Sequence, residues 1–528
     1  MSKKRRKEQG REGRNQERTE KQRIRRKNKE YIAWKHLTRN QKEVAKKIMD
    51  GDYRLVQPGG WGFLDRFLIF LKTIGYLAVL DVDGEGYQRR MITIAKLLLT
   101  YNIKILLGIS SMNQVPQLLF ADTGLLMMLG YTAEQIENGH CNRGEGKKEG
   151  PMHKDTLGDA LDRFSPGEME QILNKGAKLL AKQGFLDEDE IYIQDATDIK
   201  TTELCVGCGR KTVEEEIVNK KGEKLKIGET TYGFKLMVIR SLGSRVIVAA
   251  KLVKIQESEK NYTISLLRQA IKNIGEGKVK ILLIDRGYLD GETLWKIKYG
   301  FNIDFIIPAR TDMQITADAR GLRNITDENR IYWEENKSIK VMGIKGLTSY
   351  DQYGDEEHNK KNRNSKDFKA NPINVIMVTK WKKEEYQPGK EKVFLTSLEV
   401  IHPLNVLNQY KLRSIIENTT FRELKQGWLI NKIPKKTFNA VNSHVMLTLC
   451  MYSLANVYRT ELGQELTDNG IRRFRLQSNK DTRSKIVVLT DEHYGIFDIE
   501  EYALLLGKPP RLFININPGK FKKEYGLE

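Results

Sequence analysis

Cysteine is scarce. Four occur in 528 residues, at positions 141, 205, 208 and 450. That is too few to staple a chain of this length, so a disulfide scaffold is excluded and a reducing compartment is expected. Long apolar runs are missing as well. The best stretch, MITIAKLLLTYNIKILLGI from residue 91, is broken by two lysines and does not read as a bilayer span. The N-terminus lacks the apolar segment a signal peptide needs. These absences set the expectation of a cytoplasmic protein. Acidic residues are also in short supply: 69 Asp and Glu stand against 90 Lys and Arg, a formal net charge of +21.

Part of that charge is local. Residues 1–30 hold fourteen Lys and Arg and five Glu, giving +9 and leaving +12 for the other 498 residues. A basic body under a basic tail suits a polyanion. Nucleic acid is the commonest, because Lys and Arg placed at phosphates release counterions. Solvated charge without a partner is the plainer alternative. The tail holds almost no apolar residue and is expected to be disordered when free.

The hydrophobic pattern changes along the chain. Residues 31–185 read mostly as helices, with apolar residues at helical spacing in VPQLLFADTGLLMMLGYTAEQIENG. From 186 to 309 the pattern becomes α/β. IYIQDAT is a short β-rich run, and YGFKLMVIRSL and SRVIVAAKLV read as antiparallel neighbours around Gly243. A helix follows, and then VKILLID and IDFIIPAR, continuously apolar as strands covered on both faces are. Three strands, a helix and buried strands is the order of an RNase H-like sheet. Residues 310–400 read as a β-rich insertion around RIYWEEN, INVIMVTKW and KVFLTSL. Residues 401–460 return to helix, opened by Pro403. Residues 461–528 have no clear pattern.

Two carboxylates follow strands: Asp195 after IYIQ and Asp285 after VKILLI. Open α/β sheets place ligands at this edge. If the two strands are adjacent and parallel, the carboxylates face each other, and like charges that close call for a proton or cation between them. Mg²⁺ suits such oxygen ligands. An Asp after a strand also serves as a turn residue or helix cap. The third candidate is Glu417, in QYKLRSIIENTTFRELKQGW. At spacings of four and seven, Tyr410, Arg413 and Glu417 share one helix face, where the guanidinium offers a bidentate phosphate donor. A surface pair with Arg413 is the plainer account of Glu417.

Together these residues resemble the DDE transposases of bacterial insertion sequences. The branch resembled carries a helix with Tyr, two residues, Arg, three residues, Glu, six residues and Lys. Tyr410, Arg413 and Glu417 fit that spacing. Position 424 is Leu, and Lys425 comes one residue late, a turn of about 100° on a helix that a bulge near Asn418–Thr420 would undo. DATDIK resembles the first-Asp motif and favours Asp195 over Asp198. YGFKL resembles the Gly-Tyr-Lys strand, and DRGYLDG before FIIPAR resembles the second-Asp block. The resemblance implies an RNase H-like core in which Asp195, Asp285 and Glu417 bind two Mg²⁺ or Mn²⁺. It implies cleavage and strand transfer on double-stranded DNA through a hairpin, a homodimer holding two ends, and a nucleoid-associated enzyme. Tyr410, Arg413 and Lys425 would contact DNA, as would the tail and the helical N-terminal region. An aromatic near the site would hold a flipped base; Trp333 is a candidate, with a core Trp as the alternative. A nuclease without strand transfer and an inactive DNA-binding protein are the competing functions.

Two further motifs carry less. VLDVDGEG resembles a phosphatase nucleophile motif but lacks its following Thr or Val and its partner residues, and reads as a polar turn. CVGC at 205–208 has the spacing of half a zinc site, and only Cys141 with His140 or His153 would complete it.

Overall fold

Short β-rich runs at the two ends of the chain need partners, since isolated strands are not stable. In a computed structural model they find each other. The structure describes residues 37–58, 62–82, 92–138, 151–218, 224–325, 327–351, 371–382, 384–387, 389–461, 485–508 and 523. The basic tail, His140, Cys141 and the second half of VLDVDGEG lie outside these residues. Near the start come β1 (Thr38–Arg39), α1 (Gln41–Met49) and β2 (Leu55–Pro58). Asn40 caps α1 by accepting from the Glu43 N–H at 3.2 Å.

The next helices include α2 (Gly62–Ile74), α3 (Ile94–Leu106), α4 (Lys154–Arg163) and α5 (Pro166–Lys182). Ser165 and Glu168 form a capping box at the start of α5. The reading of 31–185 as mostly helical thus needs one correction. β1 and β2 are strands, too short to show a period and paired with residues 428 to 455 positions away.

The central sheet begins with β3 (Ile191–Thr201), β4 (Gly209–Val218), β5 (Lys224–Ser241) and β6 (Ile247–Lys254). The turn between β5 and β6 is fixed by Asp189, whose carboxylate accepts the Gly243 and Ser244 N–H groups. A side chain at Gly243 would run into that carboxylate. Then come α6 (Thr263–Ile274), β7 (Ile281–Ile284) and β8 (Asp304–Pro308). Strands β6, β5, β3, β7 and β8 lie in that order, the first two pairings antiparallel and the last two parallel. In chain order this is third, second, first, fourth, fifth, the arrangement of an RNase H-like core.

The insertion adds β9 (Ile331–Glu335), β10 (Ile339–Leu347), β11 (Ile373–Trp381), β12 (Glu384–Glu385) and β13 (Lys392–Thr396). β13 pairs with β8, and β11, β10 and β9 follow, so the insertion extends the same sheet to 11 strands. Next are α7 (Pro403–Lys411), a π-helical turn at Ile416–Phe421 and α8 (Arg422–Gln426). The long α9 (Phe438–Glu461) is buried from Ala440 to Tyr458 and packs on α4, α5 and β6. Its Ser453 hydroxyl accepts the Ile247 N–H at 3.1 Å, tying it to the sheet.

At the end of the chain, β14 (Lys485–Leu489), β15 (His493–Asp498) and α10 (Ile499–Leu505) complete a second, four-stranded sheet in the order β1, β15, β14, β2. Val44, Ala45, Ile48, Val488, Phe497 and Leu505 form its small core. Among the described residues, no helix is long and apolar enough to cross a membrane.

Candidate active site

Gln194 of β3 is in register with Ile284 of β7, and the two strands run parallel. Asp195 and Asp285 are therefore the next residues on two adjacent strands. Asp285 ends β7, as its position after an apolar run suggests. Asp195 does not end β3. That strand runs on to Thr201 because β5 pairs with it along its whole length, and only the β7 side stops at Gln194. Asp285 is also a cap: it accepts the Gly287 N–H at 3.3 Å and starts a short 3₁₀ turn.

Glu417 comes from the other side, in the π turn between α7 and α8. Two contacts fix the height of that turn. The buried Thr420 hydroxyl takes a hydrogen bond from the fully buried Arg240 of β5 and another, at 3.4 Å, from Tyr452 of α9. A π turn holds more residues than an α turn, and one extra residue turns the rest of the helix back by about 100°. Lys425, one residue late in the sequence, lies with Ala196, Thr197 and Asp198 along one cleft.

A single atom ties the carboxylates together. Arg413 Nη1 lies 2.8 Å from Asp195 Oδ2, 3.5 Å from Asp285 Oδ1 and 3.1 Å from Glu417 Oε1. No two of these oxygens can then be more than about 6.6 Å apart, the sum of the contacts at 3.5 and 3.1 Å. Among the described residues, no three His, Cys, Asp or Glu side chains converge closely enough to chelate an ion as they stand. The guanidinium takes the point between these three acids. The donor set nonetheless fits a hard divalent cation, being three carboxylates on a sheet edge and a facing helical turn.

The electrostatics arise from burial. Burial pushes the Asp195 carboxyl up to about 7; Asp285 and Glu417 push the same way, while the Ala196 N–H and Arg413 pull it back. Burial also raises Tyr410. Arg413 would be lowered by burial alone, but Tyr410 and the three carboxylates leave it raised.

A pH dependence results. Folding holds a proton on Asp195 from the ordinary range near 3.8 up to about 7. The folded state therefore binds more protons than the unfolded chain in that window, and stability in EDTA falls as pH rises through it. The loss is at most about 4 kcal/mol. A divalent ion needs the carboxylate bare. The rise in Tm produced by Mg²⁺ should thus be larger at pH 8 than at pH 5.5, and Asp195→Asn should remove the difference. Thermal unfolding in EDTA and in Mg²⁺ at both pH values checks this; equal Mg²⁺ shifts at both would contradict it.

Two clefts flank the acids. One, of about 260 Å³, is lined by Trp381 of β11, Lys392 and Phe394 of β13, and Tyr410, Lys411 and Arg413 among others. The Tyr410 and Phe394 ring centroids are 4.9 Å apart, and Lys411 Nζ lies 4.8 Å from the centre of the Trp381 ring. The other, of about 560 Å³, is lined by Lys200, Lys211, Lys235, Glu259, Lys425 and Asn431 beside residues 196–198.

Trp333 lines neither cleft. It stands on the outermost strand of the insertion, 42% exposed, with Lys340 Nζ 5.4 Å from its ring centre. It is not a core residue. Cys205 is buried and Cys208 half-buried, in a turn held to the start of α9 through Val206 and Thr437.

The model of the transposase DDE domain family matches residues 187–454. The chain belongs to that family. The match covers the core, the insertion and all three acids. Among solved structures, this transposase is similar to a piggyBac transposase synaptic complex with hairpin DNA, at 9% identity and a TM-score of 0.36, over 92% of this chain and 84% of that chain. No curated protein matches it. DDE transposases act on DNA and use divalent metal ions.

Sequence reasoning did not single out Trp381, Lys392, Lys200, Lys211, Lys235 or Glu259. Lys235 lies inside the YGFKL segment, where its place on a strand paired with β3 was the available signal.

Proposed function

We propose that this transposase cuts the ends of a DNA element and joins the freed 3′-OH to target DNA, passing through a hairpin. The reading is supported by the gathering of Asp195, Asp285 and Glu417 around one cationic group at the edge of an RNase H-like sheet. These three residues would hold two Mg²⁺ or Mn²⁺ ions. Bound there, the ions supply water activation and stabilise the leaving oxygen of an in-line displacement at phosphorus. Arg413 and Tyr410 orient the phosphate, and Lys425 contacts it from the second cleft. The substrate is double-stranded DNA at both the element ends and the target. A homodimer holds two ends, and the basic tail and residues 31–185 bind them. The enzyme works in the cytoplasm, on the nucleoid. Core segments 186–309 and 401–460 form one catalytic unit with the insertion at 310–400 between them, and within the C-terminal region 461–528 residues 485–505 complete the terminal sheet.

For the flipped base, the cleft beside Arg413 is a better host than Trp333. It has three aromatic walls and lysines at its mouth, the combination that stacks a base and balances its phosphate. The test uses plasmids carrying the DNA that borders the coding region. Wild-type protein with Mg²⁺ should yield nicked ends, hairpins and strand-transfer products. Trp381→Ala should leave nicking intact and reduce hairpins roughly 5- to 100-fold, the scale of one lost stacking contact. Trp333→Ala should change hairpin yield little. Cleavage without strand transfer would reduce the protein to a nuclease.

A further inference from the structure

The strand that carries Asp195 outruns its neighbour. From Asp195 to Thr201, β3 pairs with β5 alone, because β7 stops opposite Gln194. The gap this leaves is the larger cleft, and lysines surround it. Lys200 extends from the open length of β3, Lys211 from β4, Lys235 from β5 and Lys425 from α8. Among the described residues, the side chains of Lys200, Lys211 and Lys425 make no hydrogen bond or ion pair. Only Lys235, nine-tenths buried, is engaged: it donates to the Glu257 carbonyl at 2.9 Å and pairs with Glu259 at 3.1 Å. Among the described residues, Asp198 and Glu259 are the only acids lining the cleft, and no aromatic ring lines it.

Four ammonium groups against two carboxylates leave the cleft an excess of positive charge, which an anion bound there would offset. The chemistry here is opposite to that of the cleft beside Arg413. It offers charge and no stacking surface, so it suits a chain of phosphates and not a base. Resting on the DNA-cutting reading above, we infer that this cleft is a second nucleic-acid subsite. Lys200, Lys211, Lys235 and Lys425 grip two or more consecutive phosphates of the strand that leaves the carboxylates on the β3 side. The two flanks of the site then handle the DNA differently. On the Arg413 side a base is drawn out of the stack. On the β3 side the backbone is held and the bases stay paired.

Glu259 completes the picture. One of its oxygens meets Lys235. The other points at Gly287, where a methyl group would stand 2.6 Å from Glu259 Oε2 and 3.8 Å from Asp285 Oδ2. Glu259 thus stands in for the phosphate at Lys235, and DNA entering the cleft displaces it.

The test needs no cleavage, so it is separable from the catalytic reading. Full-length protein in EDTA is treated with an amine-modifying reagent, alone, with a 30-bp duplex of arbitrary sequence, or with tripolyphosphate at the same phosphate concentration. The duplex should protect Lys200, Lys211 and Lys425 and leave Lys272, on α6, and Lys278, before β7 at the far end of the sheet, reactive. Tripolyphosphate should protect weakly. In parallel, the salt dependence of duplex binding is measured for Lys200→Ala/Lys211→Ala and for Lys272→Ala/Lys278→Ala, which removes the same charge elsewhere. The first pair should lower the slope of log K against log salt by about 2, and the control by much less. Glu259→Gln should tighten binding several-fold. The inference is overturned if the cleft lysines stay reactive with duplex bound, if tripolyphosphate protects them as well as DNA does, or if both double variants give one slope. If protection holds but acid-to-amide variants of the carboxylates still cleave, the catalytic reading fails and the subsite stands.

Discussion

Glu417→Gln should abolish Mg²⁺-dependent DNA cleavage, by more than about 10³-fold, while leaving DNA binding within about twofold of wild type. The size reflects how such groups act. When several residues form one catalytic unit, loss of a single member costs nearly as much as loss of all. Glutamine keeps the shape of the side chain and the hydrogen-bonding oxygen but not the charge that holds a divalent ion. The fold should not suffer, because the Glu417 side chain is 53% exposed and its one tie here is to Arg413. Asp285→Asn should behave alike, and the double variant should be no worse than either single one. Gel assays of end cleavage, with binding measured separately in EDTA, decide the matter. Cleavage surviving in the Gln variant would remove Glu417 from the site.

Parts of this site are legible in sequence for a local reason. A continuous apolar run followed at once by an acid marks where a buried strand reaches the sheet edge. VKILLID shows it. IYIQD does not, since β3 continues past Asp195, and it is the parallel pairing of β3 with β7, ending at Gln194, that sets Asp195 beside Asp285. Glu417 is different. No local pattern separates it from a helix-surface glutamate, and it stands out only through the spacing shared with Tyr410 and Arg413. The late Lys425 marks a helix that does not keep one period, and the π turn sits between it and Glu417.

The features without a sequence signal are assembled from far apart. Trp381 meets Lys411 across thirty positions of sequence, and the lysine cleft draws on β3, β4, β5 and α8. No window of residues contains such a feature. β10 was not among the runs named in the insertion. Its Gly343 packs where the Val400 carbonyl lies in the place of a side chain. The terminal sheet joins β1 to β15 across 455 positions with strands of two to six residues, and short non-local pairing leaves almost no periodic trace.

Arg413→Ala has the second large expected effect, and its sign depends on conditions. One guanidinium nitrogen offsets three carboxylates that lie within about 6.6 Å of one another. Removing it leaves like charges facing one another, in a site where Asp195 is almost wholly buried. In EDTA the variant should therefore unfold at lower temperature than wild type. A divalent ion can neutralise the same three acids, so Mg²⁺ should raise the Tm of the variant more than that of wild type and narrow the gap between them. Catalysis should not recover in parallel. A phosphate donor aimed at developing charge is worth about 10²- to 10³-fold, and no ion held by the acids replaces it. Arg413→Lys should restore part of the stability in EDTA, since a point charge still offsets the acids. It should restore little of the cleavage, since an ammonium cannot offer the fork that holds two phosphate oxygens. If Mg²⁺ stabilises wild type and Arg413→Ala by the same amount, the arginine and the ion do not share one site, and the three acids owe their approach to Arg413 alone.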